Sequence, residues 1–408
     1  MNILFEIMII VLTFQDWIAC KIPIVSYLDE FICVITVLYI ITLLLRKVKF
    51  KLSRYEIYAL SILFLYIILG LVSNLSSEIV PTPLAILSIV MTVKGYILYF
   101  GWRIIFQVYG IKIKLFKNVS KIFTISIYLL TLVGLINIPF KFLKSSGDRF
   151  GINTVAIGFS HVTELAFFVV ISMIFVLFNN RIYQKELKDY RIIIPSVFLL
   201  ILTGRSKAIG FVALFLFVFY CSKLLKKIKI RYFILVLPLV VYIVMPRIKS
   251  ELLNGPRGSL YIASLEIAKD FFPLGSGFGT YGSYISRLYY SPLYYFYNLS
   301  SIWGLSPDMP SYITDTYWAM VIGEVGFIGA LMIILLLILI FVQFFLIKSD
   351  YKLKILSISL ILYTVMASIA EPIYSSNKCS ILFIVLALFI TFIRENSRVK
   401  NVGEIDEK

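Results

Sequence analysis

Two arginines stand where an apolar chain has little reason to hold a charge. Arg205 lies in LLILTGRSKAIGFVALF, with Ser206 and Lys207 directly after it, and Arg257 lies in NGPRGSLY, near Arg247 and Lys249. A guanidinium stays charged at any physiological pH and grips phosphate through two parallel N–H bonds. Such cations with apolar flanks suit the headgroup of an anionic lipid, a diphosphate for example; ordinary phospholipid headgroups are the other anions they anchor to. Carboxylates accompany them. In SSGDRFGINTVAIGFSHVTELAFF, Arg149 precedes His161 and Glu164, and His161 is the only histidine of the chain. The i, i+3 spacing puts His161 and Glu164 on one helical face, either as an internally satisfied pair or as a proton-handling or substrate contact. In ITDTYWAMVIGEVGFIGALM, Asp315 stands just before an apolar run, with Glu324 further in. A carboxylate at the mouth of a helix is suited to act as a general base.

Between these arginine and carboxylate segments runs PLGSGFGTYGSYISRLYYSPLYYFYN, in which Gly277, Gly279 and Gly282 form a G-x-G-x-x-G. A dinucleotide fingerprint also needs a preceding strand, a following helix and an acidic residue about 20 positions on, and this segment has none of that context. A tight turn that brings the backbone close to a ligand or a neighbouring helix is the better reading, beside a plain connecting turn. The tyrosines, Tyr281 and Tyr284 among them, read either as an interfacial aromatic belt or as a platform for sugar rings.

The elements that must position these residues are membrane helices. With 60% hydrophobic and 15% charged residues and a mean hydropathy of +0.95, the composition excludes an ordinary soluble globule. Apolar runs between charged or turn-forming residues give about twelve spans. The pair 191–203 and 206–222 is either two helices or one long or broken helix. The first run, Ile3 to Thr13, lacks a basic leader and a small-residue cleavage site and reads as a retained helix. A net charge of +17 would point to nucleic acid in a soluble protein; here most of the basic residues fall in alternate connections. That alternation predicts both termini on the cytoplasmic side. The expected organisation is an all-α polytopic membrane protein with transmembrane helices 1–9 in 1–245, a long extracytoplasmic loop carrying the substrate site in 246–317, and helices 10–12 with a cytoplasmic tail in 318–408. RGSLYIASLEIAKDFF within the loop reads as an interfacial or loop helix. Four cysteines, Cys20, Cys33, Cys221 and Cys379, without C-x-x-C spacing, read as small buried hydrophobes rather than as disulfides or a metal site. No metal, nucleotide or other cofactor is expected.

Three stretches together carry a resemblance. DRFGINTVAIGFSHVTELA, TGRSKAIGFVAL, and the run from RGSLYIASLEIAKDFFPLGSGFGTYG through TDTYWAMVIGEVGFIGALM resemble the Wzy-type polymerases of O-antigen, capsule and exopolysaccharide repeat units, and more distantly the O-antigen ligases. In the ligases the position before the last of these helices typically reads His-Asn; Asp315 stands there instead, which favours a polymerase. The resemblance implies a glycosyltransferase of the bacterial plasma membrane. It would move a glycan carried on undecaprenyl diphosphate to the non-reducing end of another lipid-linked unit, without a metal or a nucleotide sugar. It implies Arg205 and Arg257 as diphosphate contacts, Arg149 as a substrate contact, Asp315 as the base for the acceptor hydroxyl with His161 as its competitor, and a flippase and chain-length regulator as partners. A lipid-linked oligosaccharide flippase is the alternative from another class, since about twelve spans is also a common transporter count.

Overall fold

The computed structural model describes residues 2–149, 152–185, 188–221, 255–347 and 350–406. The expected span 230–245, together with Arg247 and Lys249, lies outside the described residues. Among the described residues, eight helical stretches are long and apolar enough to cross a membrane, and three shorter apolar helices accompany them. The architecture is all-α and fits a multi-pass membrane protein; among the described residues its strands are a two-residue antiparallel ladder, Asp148–Arg149 (β1) with Ile152–Asn153 (β2).

In chain order the helices are α1 (Asn2–Thr13), α2 (Gln15–Ala19), α3 (Leu28–Leu45), α4 (Arg54–Ser77), α5 (Thr82–Tyr109), α6 (Ile113–Phe140), α7 (Val162–Ile182), α8 (Tyr190–Leu202) and α9 (Ser206–Cys221). After the segment outside the description come α10 (Pro256–Asp270), α11 (Tyr284–Leu288), α12 (Pro292–Phe296), α13 (Tyr317–Leu346), α14 (Tyr351–Ser368) and α15 (Lys378–Asp406). Local sequence sets several boundaries. Ser53 and Glu56 close a capping box at the start of α4, Pro256 opens α10 behind Gly255, and Gly204, at φ +57°, separates α8 from α9. The run 191–221 is therefore two helices.

Helices α7 and α15 are almost wholly enclosed, while α3, α4 and α6 turn large apolar side chains such as Leu45, Phe64 and Leu132 outward. Helices apolar on every side are stable only where lipid replaces water on the outer face. Two sets of charges inside spans are matched within the bundle. Lys94 sits 2.6 Å from Asp29 and 2.5 Å from Glu30, and Glu56 takes Arg103 at 3.0 Å and Arg394 at 2.9 Å. A buried ion pair is tolerated only when its partners are in place.

The long loop folds on itself. Leu260 and Ile267 of α10, Tyr281, Tyr294, Leu299, Leu305 and Ile313 form a second core. The expected loop helix is α10.

The glycine segment is a clamp between α4 and α13. Helix α13 breaks at Gly326 (φ 65°, ψ −170°), which leaves the carbonyls of the turn before it without their helical donors. The loop supplies them: Ser276 N–H donates to the Gly323 carbonyl at 3.1 Å and Gly277 N–H to the Glu324 carbonyl at 2.7 Å. Gly279 N–H donates to Glu324 Oε1 at 2.8 Å, and Asn74 of α4 holds both the N–H and the carbonyl of Phe278. The Phe278 ring is fully buried, edge-on to Tyr66; withdrawing such a ring from water contributes roughly 1.5–3 kcal/mol. A Cβ on Gly275 would lie 2.4 Å from the Gly326 nitrogen. Of the readings open in the sequence, close approach to neighbouring helices is the one the segment adopts.

Candidate functional site: a cationic cluster at five helix N-termini

The arginine and carboxylate segments meet at the end of the bundle that carries the folded loop. Arg205 accepts the first helical N–H bonds of α9 at its carbonyl. Arg257 is in the first turn of α10, His161 is the N-cap of α7, Asp315 directly precedes Thr316, the N-cap of α13, and Lys378 is the first residue of α15. Each helix N-terminus carries partial positive charge and unsatisfied N–H groups, so ends brought together favour an anion beyond what the side chains contribute.

Side-chain contacts knit these ends. Arg205 Nη2 lies 2.8 Å from His161 Nε2. A guanidinium only donates, so Nε2 is the acceptor; Nδ1 then carries the ring proton and donates to Thr163 Oγ1 at 2.8 Å. The imidazole is thus neutral. Partial burial, and then the charges of Arg205, Lys378, Lys207 and Arg257, push its pKa down to about 4. Arg257 Nη2 donates to Asp315 Oδ2 at 2.5 Å and stands over the Tyr312 ring, 5.7 Å from its centroid. Burial lifts the Asp315 carboxyl above its usual range, although Arg257, Lys207 and Arg205 all act to lower it. Glu371, in the connection before α15, pairs with Lys207 and, at 3.4 Å, with Lys378. Lys378 also reaches Thr163 Oγ1 at 3.4 Å.

The site residues expected from sequence separate into three groups. Arg205, Arg257, Asp315 and His161 come together in the cluster. Arg149 lies beside it: a Cβ on Gly204 would sit 3.3 Å from the Arg149 Cβ, so the β1–β2 ladder leans on the turn that presents Arg205. Glu164 does not meet the imidazole; its carboxylate accepts the backbone N–H of His161 at 3.3 Å. His161 precedes the helix rather than sharing a face of it, because the cap residue has extended backbone. Tyr281 and Tyr284 do not form one platform. Tyr281 is fully buried and donates its hydroxyl to the Leu260 carbonyl at 2.7 Å, whereas Tyr284 is 42% exposed and lines an adjoining cavity. Lys378 and Glu371 were not singled out in the sequence. Their signal was a basic residue opening an apolar run, in EPIYSSNKCSILF, seven positions after an acidic one.

Fold and site together define an all-α chain of the multi-pass membrane type with a cationic site at one end of its bundle. No protein-family model matches the chain, and no curated protein and no solved structure is similar to it.

Proposed function

We propose that this chain polymerises lipid-linked oligosaccharide repeat units. It takes a glycan carried on undecaprenyl diphosphate at the outer face of the bacterial plasma membrane and transfers it to the non-reducing end of another lipid-linked unit. The carrying observation is the convergence of Arg205, Lys207, Arg257 and Lys378 on five helix N-termini next to lipid-facing helices. A diphosphate on a polyprenyl tail needs cations in reach of the lipid boundary. Both the diphosphate of the bound donor and the negative charge that grows on it as it leaves are stabilised by donors fixed in advance. The basic connections between the other ends of the spans support the orientation that puts the cluster outside.

In this reading Arg205 and Arg257 hold the diphosphate. His161, neutral and bound to Arg205 through Nε2, orients that guanidinium, and Asp315 orients Arg257. Arg149 contacts the glycan or its first phosphate from the β1–β2 side. A flippase that delivers the units and a regulator that sets chain length are the implied partners.

Deletion of the gene in its host, with wild type and Arg257→Ala restored separately, tests the reading. Single repeat units accumulating on lipid at the outer face, rescued by wild type only, support it. Units trapped at the inner face would mean a flippase instead.

A further inference from the structure

Beside the cationic cluster lies a cavity of about 420 Å³ that Arg205 and Arg257 do not line. Its walls come from α2 and the turn after it, the first turns of α3 and α7, residues 88–94 of α5, the loop corner at 282–285, Thr314 and Met320, and the 372–378 segment. The volume falls within the roughly 300–1,000 Å³ of small-molecule sites. Its charge differs from that of the cluster. Three carboxylates, Asp16, Glu30 and Glu164, face two ammonium groups, Lys94 and Lys378, and Lys94 is already held by Asp29 and Glu30. A phosphate finds little there.

A hydroxyl-rich neutral ligand finds a great deal. Ser88 and Ser376, two residues that line the cavity, have hydroxyls buried without a hydrogen-bond partner, and Ser88 is 1% exposed. Buried polar atoms of this kind are completed by ordered water or by a ligand that takes its place. Tyr27 and Tyr284, both well exposed, add aromatic rings to the wall, the Tyr284 ring with the Arg287 guanidinium 5.4 Å from its centroid. Carboxylates, hydroxyls and aromatic faces are the set that a sugar ring satisfies. Lys378 joins the two compartments, lining the cavity while paired with Glu371 in the cluster.

We infer that this cavity receives the terminal sugar of the acceptor chain and that Asp16 takes the proton from its attacking hydroxyl. The inference rests on the polymerase reading. In the step, the acceptor oxygen forms its bond to the anomeric carbon of the donor glycan as the bond from that carbon to the diphosphate oxygen breaks. The electron pair departs on the diphosphate held by Arg205 and Arg257, and the hydroxyl proton passes to the Asp16 carboxylate. Asn377 Nδ2 steadies Asp16 Oδ1 at 3.4 Å. Burial, and then the Glu164 charge, push the Asp16 carboxyl up to about 6, with Lys378 opposing and Asp29 adding to the rise. A general base works best with a pKa near the working pH. The neighbouring candidates are committed elsewhere: Asp315 to Arg257, His161 Nε2 to Arg205, and Glu164 to the cap of α7.

The test uses the full chain in proteoliposomes with lipid-linked single units extracted from the deletion strain. Chain growth is compared for wild type, Asp16→Asn, the cavity-filling Ser376→Phe, and Arg257→Ala. Thermal stabilisation by inorganic diphosphate is read in parallel; if Ser376→Phe does not fold, Met91→Phe replaces it. The expected result is a loss of about 100-fold or more in growth for Asp16→Asn, a comparable loss for the filled cavity, and unchanged diphosphate stabilisation in both. Wild-type growth should also fall as pH drops through about 6. Near-normal growth in Asp16→Asn and the filled variant, or loss of diphosphate stabilisation along with growth, overturns the inference and leaves the polymerase reading standing. No chain growth by wild type that does bind diphosphate removes the polymerase reading, and this inference with it.

Discussion

The glycine clamp and the cationic cluster sit at the same end of the bundle, and both are polar segments set among apolar helices. In the clamp, loop amides go to Glu324, to the Gly323 and Glu324 carbonyls and to Asn74, and the large side chains Phe278 and Tyr281 are buried. The cluster instead gathers cations at the positive ends of five helices and opens beside a cavity. A segment whose polar groups are answered by the protein holds the fold together. One that gathers four cations against two carboxylates, Asp315 and Glu371, at five helix N-termini keeps an excess of positive charge that suits an anion from outside the protein.

The comparison breaks most sharply at the arginines. Arg205→Ala and Arg257→Ala are expected to cut chain growth by about 100-fold or more, as losing a fixed donor to a developing oxyanion does, with normal protein levels in the membrane. Growth and lipid-linked intermediates read together check this. The clamp should fail in the other manner. Gly275→Val pushes a side chain toward the Gly326 backbone at a φ of +82°, and a loss of about 3 kcal/mol or more is expected, seen as a lower thermal midpoint. Whatever fraction folds should still bind diphosphate.

Smaller effects sharpen the roles inside the cluster. Asp315→Asn keeps the shape but weakens the hold on Arg257; chain growth should fall by roughly tenfold, the scale of about 1.4 kcal/mol, rather than vanish. His161→Gln preserves an acceptor for Arg205 and should change growth least, with His161→Leu worse. The pH behaviour follows from the depressed pKa of His161. Between about 6.5 and about 4 the unfolded chain binds a proton there and the folded one does not, so folded-state stability declines as pH falls through that window. His161→Gln should flatten this part of the profile. An unchanged slope in the variant would mean that the ring is not held neutral.

Part of this was legible in the sequence. The apolar runs announced the helices, and the break at TGRS, the loop helix α10 and the isolated charges Arg205, Arg257 and Asp315 could each be read locally. Their meeting could not, because it depends on which helix ends the bundle brings together. Lys378 and Glu371 occupy a short connection that resembles any other until α15 is placed against α7 and α9. Asp16 follows the first apolar run, Ile3 to Thr13, and nothing local discloses that the break between α1 and α2 at Thr13 and Phe14 brings it to the cavity. The glycine spacing disclosed a special backbone but not Asn74 or Glu324, which come from two distant helices. Tyrosine content alone gave no means of telling Tyr281, spent on the Leu260 carbonyl, from Tyr284 on the cavity wall.

The central claim is that the cluster is a diphosphate site. Its most direct test is the thermal midpoint of the purified chain titrated with inorganic diphosphate, since a ligand that binds only the folded state raises that midpoint in proportion to occupancy. The account predicts a concentration-dependent rise for wild type that Arg205→Ala and Arg257→Ala lose. An equal rise in wild type and both variants, or none in any, would contradict it.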